Sequence, residues 1–298
     1  MEQTSLREAK NVVNIMGVLK EKTLEVKTGD KGRYISGYIV VQTDENSAHR
    51  INLFANEKTN DGKDSGIFKS FLTVKDDYIS LADCTQNGTD PSHATKVSTN
   101  AGRLGLNEYY GEDGLHSGWS VSTSFVNRVR DESMYEPKAN FEVEGYVTAI
   151  REKDDGVFVD LAVPLFGGRI APLVFSTTAE AGSYMANTFN RGDSINVRGQ
   201  LVNLAERKVE HKQGFGASRD EVTIKYVRSL VIDGGSENAY DPDDGKKSWS
   251  AKDIKAAFEA RETYLEELKA KSAKKGTSTS TKTTTTTKSG AKTQDFDF

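Results

Sequence analysis

The chain has 298 residues, of which 36% are hydrophobic, with a mean hydropathy of −0.60 and a formal net charge of −4. That length accommodates two ordinary domains with extensions, while the low hydropathy excludes a single compact globule spanning the whole chain. The lone cysteine, Cys84, excludes an internal disulfide and a cysteine-based zinc site, and with no apolar run long enough for a membrane helix and no signal-peptide pattern at the start, a soluble, cytoplasmic protein is expected.

In chain order, residues 1–10 read as a polar lead-in. Residues 12–27 alternate as a first strand, residues 33–43 as a second after a Gly29–Gly32 turn, and residues 50–56 as a third. The apolar spacing over 67–74 predicts a short amphipathic helix, and residues 95–110 and 118–129 complete a set of five strands. After a linker containing Pro137, the order repeats more clearly. Strands are predicted at 141–150, 157–163 and 169–175, a helix at 178–189 capped by Thr177 or Thr178, then strands at 194–202 and 222–232 joined by a long polar loop. Three strands, a helix and two strands is the element order of an OB fold. The fold class expected is therefore mainly β, two tandem OB-fold barrels, each β-β-β-α-β-β. Gly17 and Gly145 hold matching places in the two first strands, as do Gly102 and Gly199 in the two fourth strands.

The expected divisions are a first OB-like domain over 1–131, a linker over 132–139, a second OB domain over 140–236, a hinge with an amphipathic helix over 237–272, and a tail over 273–298. The helix begins at Ser250 with Asp253 three residues on, and its apolar face runs Ile254, Ala257, Phe258, Arg261, Tyr264, Leu265, Leu268. The sequence leaves open whether it packs on a barrel or on another subunit. Residues 276–293 are almost wholly Thr, Ser, Lys and Gly, which bury too little apolar surface to fold.

No P-loop, GxSxG or HExxH motif occurs, the four histidines are scattered, and no carboxylate cluster has metal-ligand spacing. The expectation is a protein without enzymatic activity, cofactor or metal. An OB strand face suits single-stranded nucleic acid, which calls for cations along the backbone and aromatic planes for the bases. In the first half the candidates are Lys20, Lys22, Arg33, Tyr34, Tyr38, Arg50 and Arg103. Tyr34 and Tyr38 have the parity opposite to Ile35, Ile39 and Val41 and should face outward, whereas Phe54, Phe125, Phe158 and Phe175 are expected in the core. In the second half the candidates are Arg151, Lys153, Arg169, Arg198, Lys225, Tyr226 and Arg228. Its 207–219 loop, the most basic part of the folded region, adds Arg207, Lys208, Lys212, Phe215 and Arg219. Residues 1–240 nonetheless hold 28 basic and 34 acidic residues, which counts against indiscriminate duplex binding. The terminal Asp295, Phe296, Asp297 and Phe298 read as a peptide ligand on a tether, with rings for a pocket and carboxylates for Arg or Lys around it.

The chain resembles the single-stranded DNA-binding proteins of bacteria and their phages. Residues 190–201 look like the family's fourth-strand segment, and the tip is similar to its acidic terminus ending in Phe, although here Phe is interleaved and Pro is absent. The likeness covers 141–232 and 276–298, and covers 12–129 by architecture only. It implies a protein that coats single strands in replication or recombination and recruits polymerase, primase or helicase through its tip. Two barrels per chain and the added helix depart from the bacterial pattern, so the bacterial homotetramer is not implied; a phage replication protein, monomeric or dimeric, is the closer match. A virion or assembly scaffold and a strand-annealing protein are the alternatives.

Overall fold

The computed structural model describes residues 6–30, 32–212 and 219–277, with side chains at all of these except 206–223 and 274–277. The chain is mainly β with a C-terminal helix. Among the described residues eleven strands form one continuous sheet. The first half contributes β1 (Asn11–Gly29), β2 (Gly32–Asp44), β3 (Ser47–Asn56), β4 (Lys96–Gly111), β5 (Gly114–Ser122) and the short β6 (Asn127–Arg128). The second contributes β7 (Lys138–Lys153), β8 (Gly156–Pro164), β9 (Ile170–Thr177), β10 (Ser194–Lys212) and β11 (Arg219–Gly235).

Each half closes a cycle of pairings. In the first, β1 pairs with β2, β2 with β3, β3 in parallel with β5, β5 with β4, and β4 returns to β1. In the second, β7 pairs with β8, β8 with β9, β9 in parallel with β11, β11 with β10, and β10 returns to β7. Alternation makes this work, since every second residue of β1 and β7 turns inward. Val13, Ile15 and Leu19 are buried in one half and Phe141, Val143 and Val147 in the other. Each first strand must also bend to serve two neighbours. Gly17 and Gly145 are placed for this, and a bulge follows each at Leu19/Glu21 and Val147/Ala149, the same distance beyond each glycine. At Gly17 a Cβ would lie 2.1 Å from the Gln42 carbonyl oxygen. The two cycles are joined edge to edge by the antiparallel pairing of β1 with β7.

Helix α1 (Gly66–Asp77) buries Phe68, Phe71 and Val74 under the first cycle, with Ser65 Oγ accepting from Phe68 N at its start. Helix α2 (Leu81–Asn87), opened by a Ser80–Asp83 capping box, has no counterpart in the sequence-based expectation. Helix α3 (Ala179–Thr188) is capped by Thr178 and buries Met185. The C-terminal helix α4 (Ala251–Thr277) runs past the expected boundary at residue 272. Ser250 Oγ accepts from Asp253 N at 3.1 Å, and the helix packs against its own chain. Its Arg261 forms an ion pair with Glu108 of β4, with side-chain exposures of only 18% and 8%. Ser272 Oγ donates to the Tyr110 carbonyl at 3.1 Å. Just before α4, Trp249 is buried, donating from Nε1 to the Arg7 carbonyl with the Arg7 guanidinium 4.1 Å over its ring.

Three expectations need correction. The predicted strand at 118–129 starts earlier and stops at Ser122, because Gly114 allows a tight β4–β5 turn that pairs Tyr110 with Leu115. The long polar loop between the last two strands is instead a hairpin arm. Strands β10 and β11 stay paired out to Lys212 and Arg219, so the described residues of the 207–219 stretch are strand. A hairpin is joined by backbone hydrogen bonds, which a polar stretch can form without the apolar alternation that marks a strand in sequence. Finally, Phe54 and Phe125 are 60% and 51% exposed rather than core residues, while Phe175 is buried as expected and Phe158 half-buried. Phe54 shares the outward parity of Arg50 and Asn52 on β3, and the inward positions belong to Ile51 and Leu53.

Candidate nucleic-acid interface

The outer face of β2 and β3 gathers aromatic and cationic side chains by register. Tyr38 lies opposite Asn52, Val40 opposite Arg50 and Ser36 opposite Phe54, and inward Ile35, Ile39 and Ile51 hold that face fixed. The Arg50 guanidinium sits 3.9 Å from the Tyr38 ring centre, and Tyr38 OH donates to Glu21 at 2.9 Å. Further along, the Tyr34 and Phe54 rings are 5.7 Å apart.

The β10–β11 arm comes from the other half and lands on this face. Leu204 lies opposite Ser47 in antiparallel register, and Ala205 N donates to the Asn46 carbonyl at 2.9 Å. Asn203 Nδ2 donates to the Ala48 carbonyl. On the other side of the arm, Arg228 donates from Nη2 to the Trp119 carbonyl of β5 and lays its guanidinium 3.9 Å from the indole centre. Between arm and body lies a void of about 270 Å³ lined by Arg50, Asn52, Asn107, Trp119, Asn203 and Arg228. A second groove of about 440 Å³, lined by Lys20, Tyr38, Arg50, Asn203 and Tyr226 among others, continues it and shares Arg50 and Asn203.

The second groove is also lined by Glu21 and Glu45, whereas the smaller void has Arg50 and Arg228 and no carboxylate among its described lining residues, so its electrostatics favour an anion. Desolvation first, then the like charge of Arg50, pushes the Arg228 pKa down. A phosphate near both guanidiniums relieves that repulsion. Behind them His49 is buried, with Nε2 3.3 Å from both Thr43 Oγ1 and Ser47 Oγ and no partner for Nδ1. Burial pushes its pKa down to about 4, with Asp44 opposing the shift and Arg228 adding to it.

Of the residues singled out from sequence, Lys20, Tyr38, Arg50, Tyr226 and Arg228 converge on the two grooves, while Tyr34 lies beside Phe54 toward the other end of the β2–β3 pair. Lys225 is exposed on the arm. Lys22 does not belong to the set. Its side chain is mostly buried, and Nζ donates to the Lys75 and Tyr78 carbonyls at the end of α1, 3.6 Å from Asp83. Arg33 is paired with Glu57 at 2.9 Å and Arg103 with Glu8. In the second half Arg151 is neutralised by Asp160, Lys153 lies 5.1 Å over Phe158, and Arg169 turns back to the Phe166 carbonyl. Arg198 lines a separate cleft at the seam with Lys10 and Glu142. The side chains of Arg207, Lys208, Lys212 and Arg219, together with Phe215, lie outside the described residues, as does the tip formed by Asp295, Phe296, Asp297 and Phe298.

Sequence reasoning missed Trp119, Asn52, Asn107 and Asn203, and assigned the exposed Phe54 to the core. The outward parity of Arg50, Asn52 and Phe54 was available as a signal; nothing local marked Asn203 or Trp119, which meet only in three dimensions. Among the described residues no group of His, Cys, Asp and Glu is arranged to hold a metal, and no helix is long and apolar enough to cross a membrane.

A mainly β chain with an aromatic and cationic groove between its halves is what these elements define. Residues 10–271 match the YorF family model, and the chain belongs to the YorF family. No curated protein matches it. Among solved structures it is similar to a deletion mutant of the single-stranded DNA binding protein from Thermus aquaticus, at 15% identity and a TM-score of 0.47, covering 78% of this chain and 97% of that one.

Proposed function

We propose that this protein binds single-stranded DNA in the groove between the arm and the β2–β3 face, and that its two strand cycles are tandem OB barrels. The observation that carries this reading is the pair of guanidinium–aromatic stacks, Arg50 on Tyr38 and Arg228 on Trp119, set along two adjoining grooves that share Arg50 and Asn203. Each stack fixes a ring plane beside a cation, which together supply the two needs of a single strand, a surface for bases and a charge for phosphate. Asn52, Asn107 and Asn203 add carboxamides able to meet base edges. Single-strand binding of this kind needs neither a cofactor nor catalysis, and we read the protein as a non-enzymatic coat for exposed strands in replication or recombination.

Anisotropy titration with labelled oligo-dT and with duplex DNA at two salt concentrations tests the reading. Preferential, salt-sensitive binding to oligo-dT is expected; no binding overturns it and favours a scaffold role, for which the acidic body is the supporting feature. The terminal Asp295–Phe298 motif, read from sequence, is the proposed recruiting element for a polymerase, primase or helicase. Deleting it should leave oligo-dT affinity unchanged or higher while abolishing capture of that partner, and equal capture by the truncated chain sinks this part alone.

A further inference from the structure

We propose that the β10–β11 arm makes the groove a closed passage, and that Asn203 and Arg228 thereby set selectivity for one strand over two. This rests on the single-stranded DNA reading above. Asn203 and Arg228 are directly opposed partners within the arm, yet they reach different strands of the other half. Asn203 holds the start of β3 through the Ala48 carbonyl, reinforced by the Leu204–Ser47 bridge and the Ala205–Asn46 hydrogen bond. Arg228 holds β5 through the Trp119 carbonyl and ring. The void of about 270 Å³ lies between these two contacts, with Arg50 and Asn52 of β3 opposite the arm.

A cavity bounded by the body on one side and bridged by the arm at both ends is a tunnel. A flexible single strand can thread it, or enter when the arm lifts. A duplex, stiff and two strands wide, can do neither. Among the described residues the arm contacts named above are hydrogen bonds and a cation–π stack, individually modest interactions that can break while each strand cycle stays paired.

Locking the arm tests this in the full chain. Ser47 and Leu204 are opposed antiparallel partners, a geometry whose Cα separation of about 4.5–5.5 Å suits a disulfide, and the native Cys84 is buried and apart. The Ser47→Cys/Leu204→Cys variant is titrated, oxidised and reduced, with linear oligo-dT and with a covalently closed oligo-dT circle of equal length. The reduced form should bind both alike. On oxidation, circle binding should fall at least about tenfold while linear binding persists or falls with it, and reduction should restore both. Undiminished circle binding by the oxidised form overturns the passage. Should the double variant not fold, dissociation is measured on the wild type. The circle, having no free end, should leave several-fold more slowly than the linear strand, and equal rates overturn the proposal. Failure of the wild type to bind linear oligo-dT removes the single-stranded DNA reading itself, and so is distinguishable from either result.

Discussion

Val13 and Phe141 face each other across the seam where β1 pairs with β7, and each is flanked on its other side by a glycine, Gly102 opposite Val13 and Gly199 opposite Phe141. The pairing is self-complementary, since the same position of each half meets the other. The two halves are therefore related by an approximate two-fold through this pair, and their cores meet along one continuous sheet.

The matching glycines near the seam are not equally demanding. A Cβ at Gly17 would meet the Gln42 backbone oxygen at 2.1 Å, whereas at Gly145 it would meet the Leu161 side chain at 3.0 Å. The Gly145 contact, to the Leu161 Cβ, asks for a shift of only a few tenths of an ångström, whereas the Gly17 overlap demands a far larger movement of backbone. Gly17→Ala is expected to cost about 3 kcal/mol or more and Gly145→Ala about 1 kcal/mol, within the range for overpacking. Urea midpoints of the two variants should rank in that order.

Lys22 holds the end of α1 through two carbonyls and approaches Asp83. Lys22→Met keeps the stem and removes the charge, leaving those carbonyls short of a donor. A stability loss of about 1–3 kcal/mol in urea unfolding is expected, with oligo-dT affinity unchanged. The exposed neighbour Lys20, at the groove, should behave the opposite way, with Lys20→Ala weakening binding and sparing stability.

Arg228 combines a cation–π contact with a charge available to phosphate. Arg228→Ala should weaken oligo-dT binding by roughly tenfold, about 1.4 kcal/mol, and reduce the steepness of the log K against log salt plot by about 0.7. Titrations at four salt concentrations give both numbers. A tenfold loss with an unchanged slope would mean that Arg228 only shapes the groove.

His49 links the site to pH. Its folded pKa, near 4, lies below its ordinary 6.5, so the unfolded chain takes up a proton that the folded chain refuses. The stability this neutral histidine allows is complete above pH 6.5 and is lost as pH falls from 6.5 toward 4, by about 3 kcal/mol at most. The groups facing it are Thr43, Ser47, Asp44 and Arg228. The stability difference between wild type and His49→Gln should narrow, or reverse, by about 2–3 kcal/mol in denaturant melts between pH 7 and pH 4.5. A difference independent of pH would show that His49 does not titrate in this window.

Local chemistry settled much of this protein. Alternation placed Val13, Ile15, Ile35 and Ile39 inside and turned Tyr34 and Tyr38 outward; Thr178 and Ser250 marked helix starts; the paired glycines announced that the chain repeats itself. These are readable because side-chain period, capping and steric need for glycine act within a few residues or between adjacent strands. What only the tertiary structure decided is which surface each outward residue meets. Lys22 and Arg50 are both strand cations by sequence, yet one caps a helix from beneath and the other lines the groove. Asn203 carries no local mark and Arg228 reads only as one strand cation among several, yet both matter because a polar arm from one half crosses onto Ala48 and Trp119 of the other. Periodicity fixes the face a residue occupies; long-range contact alone fixes what covers that face.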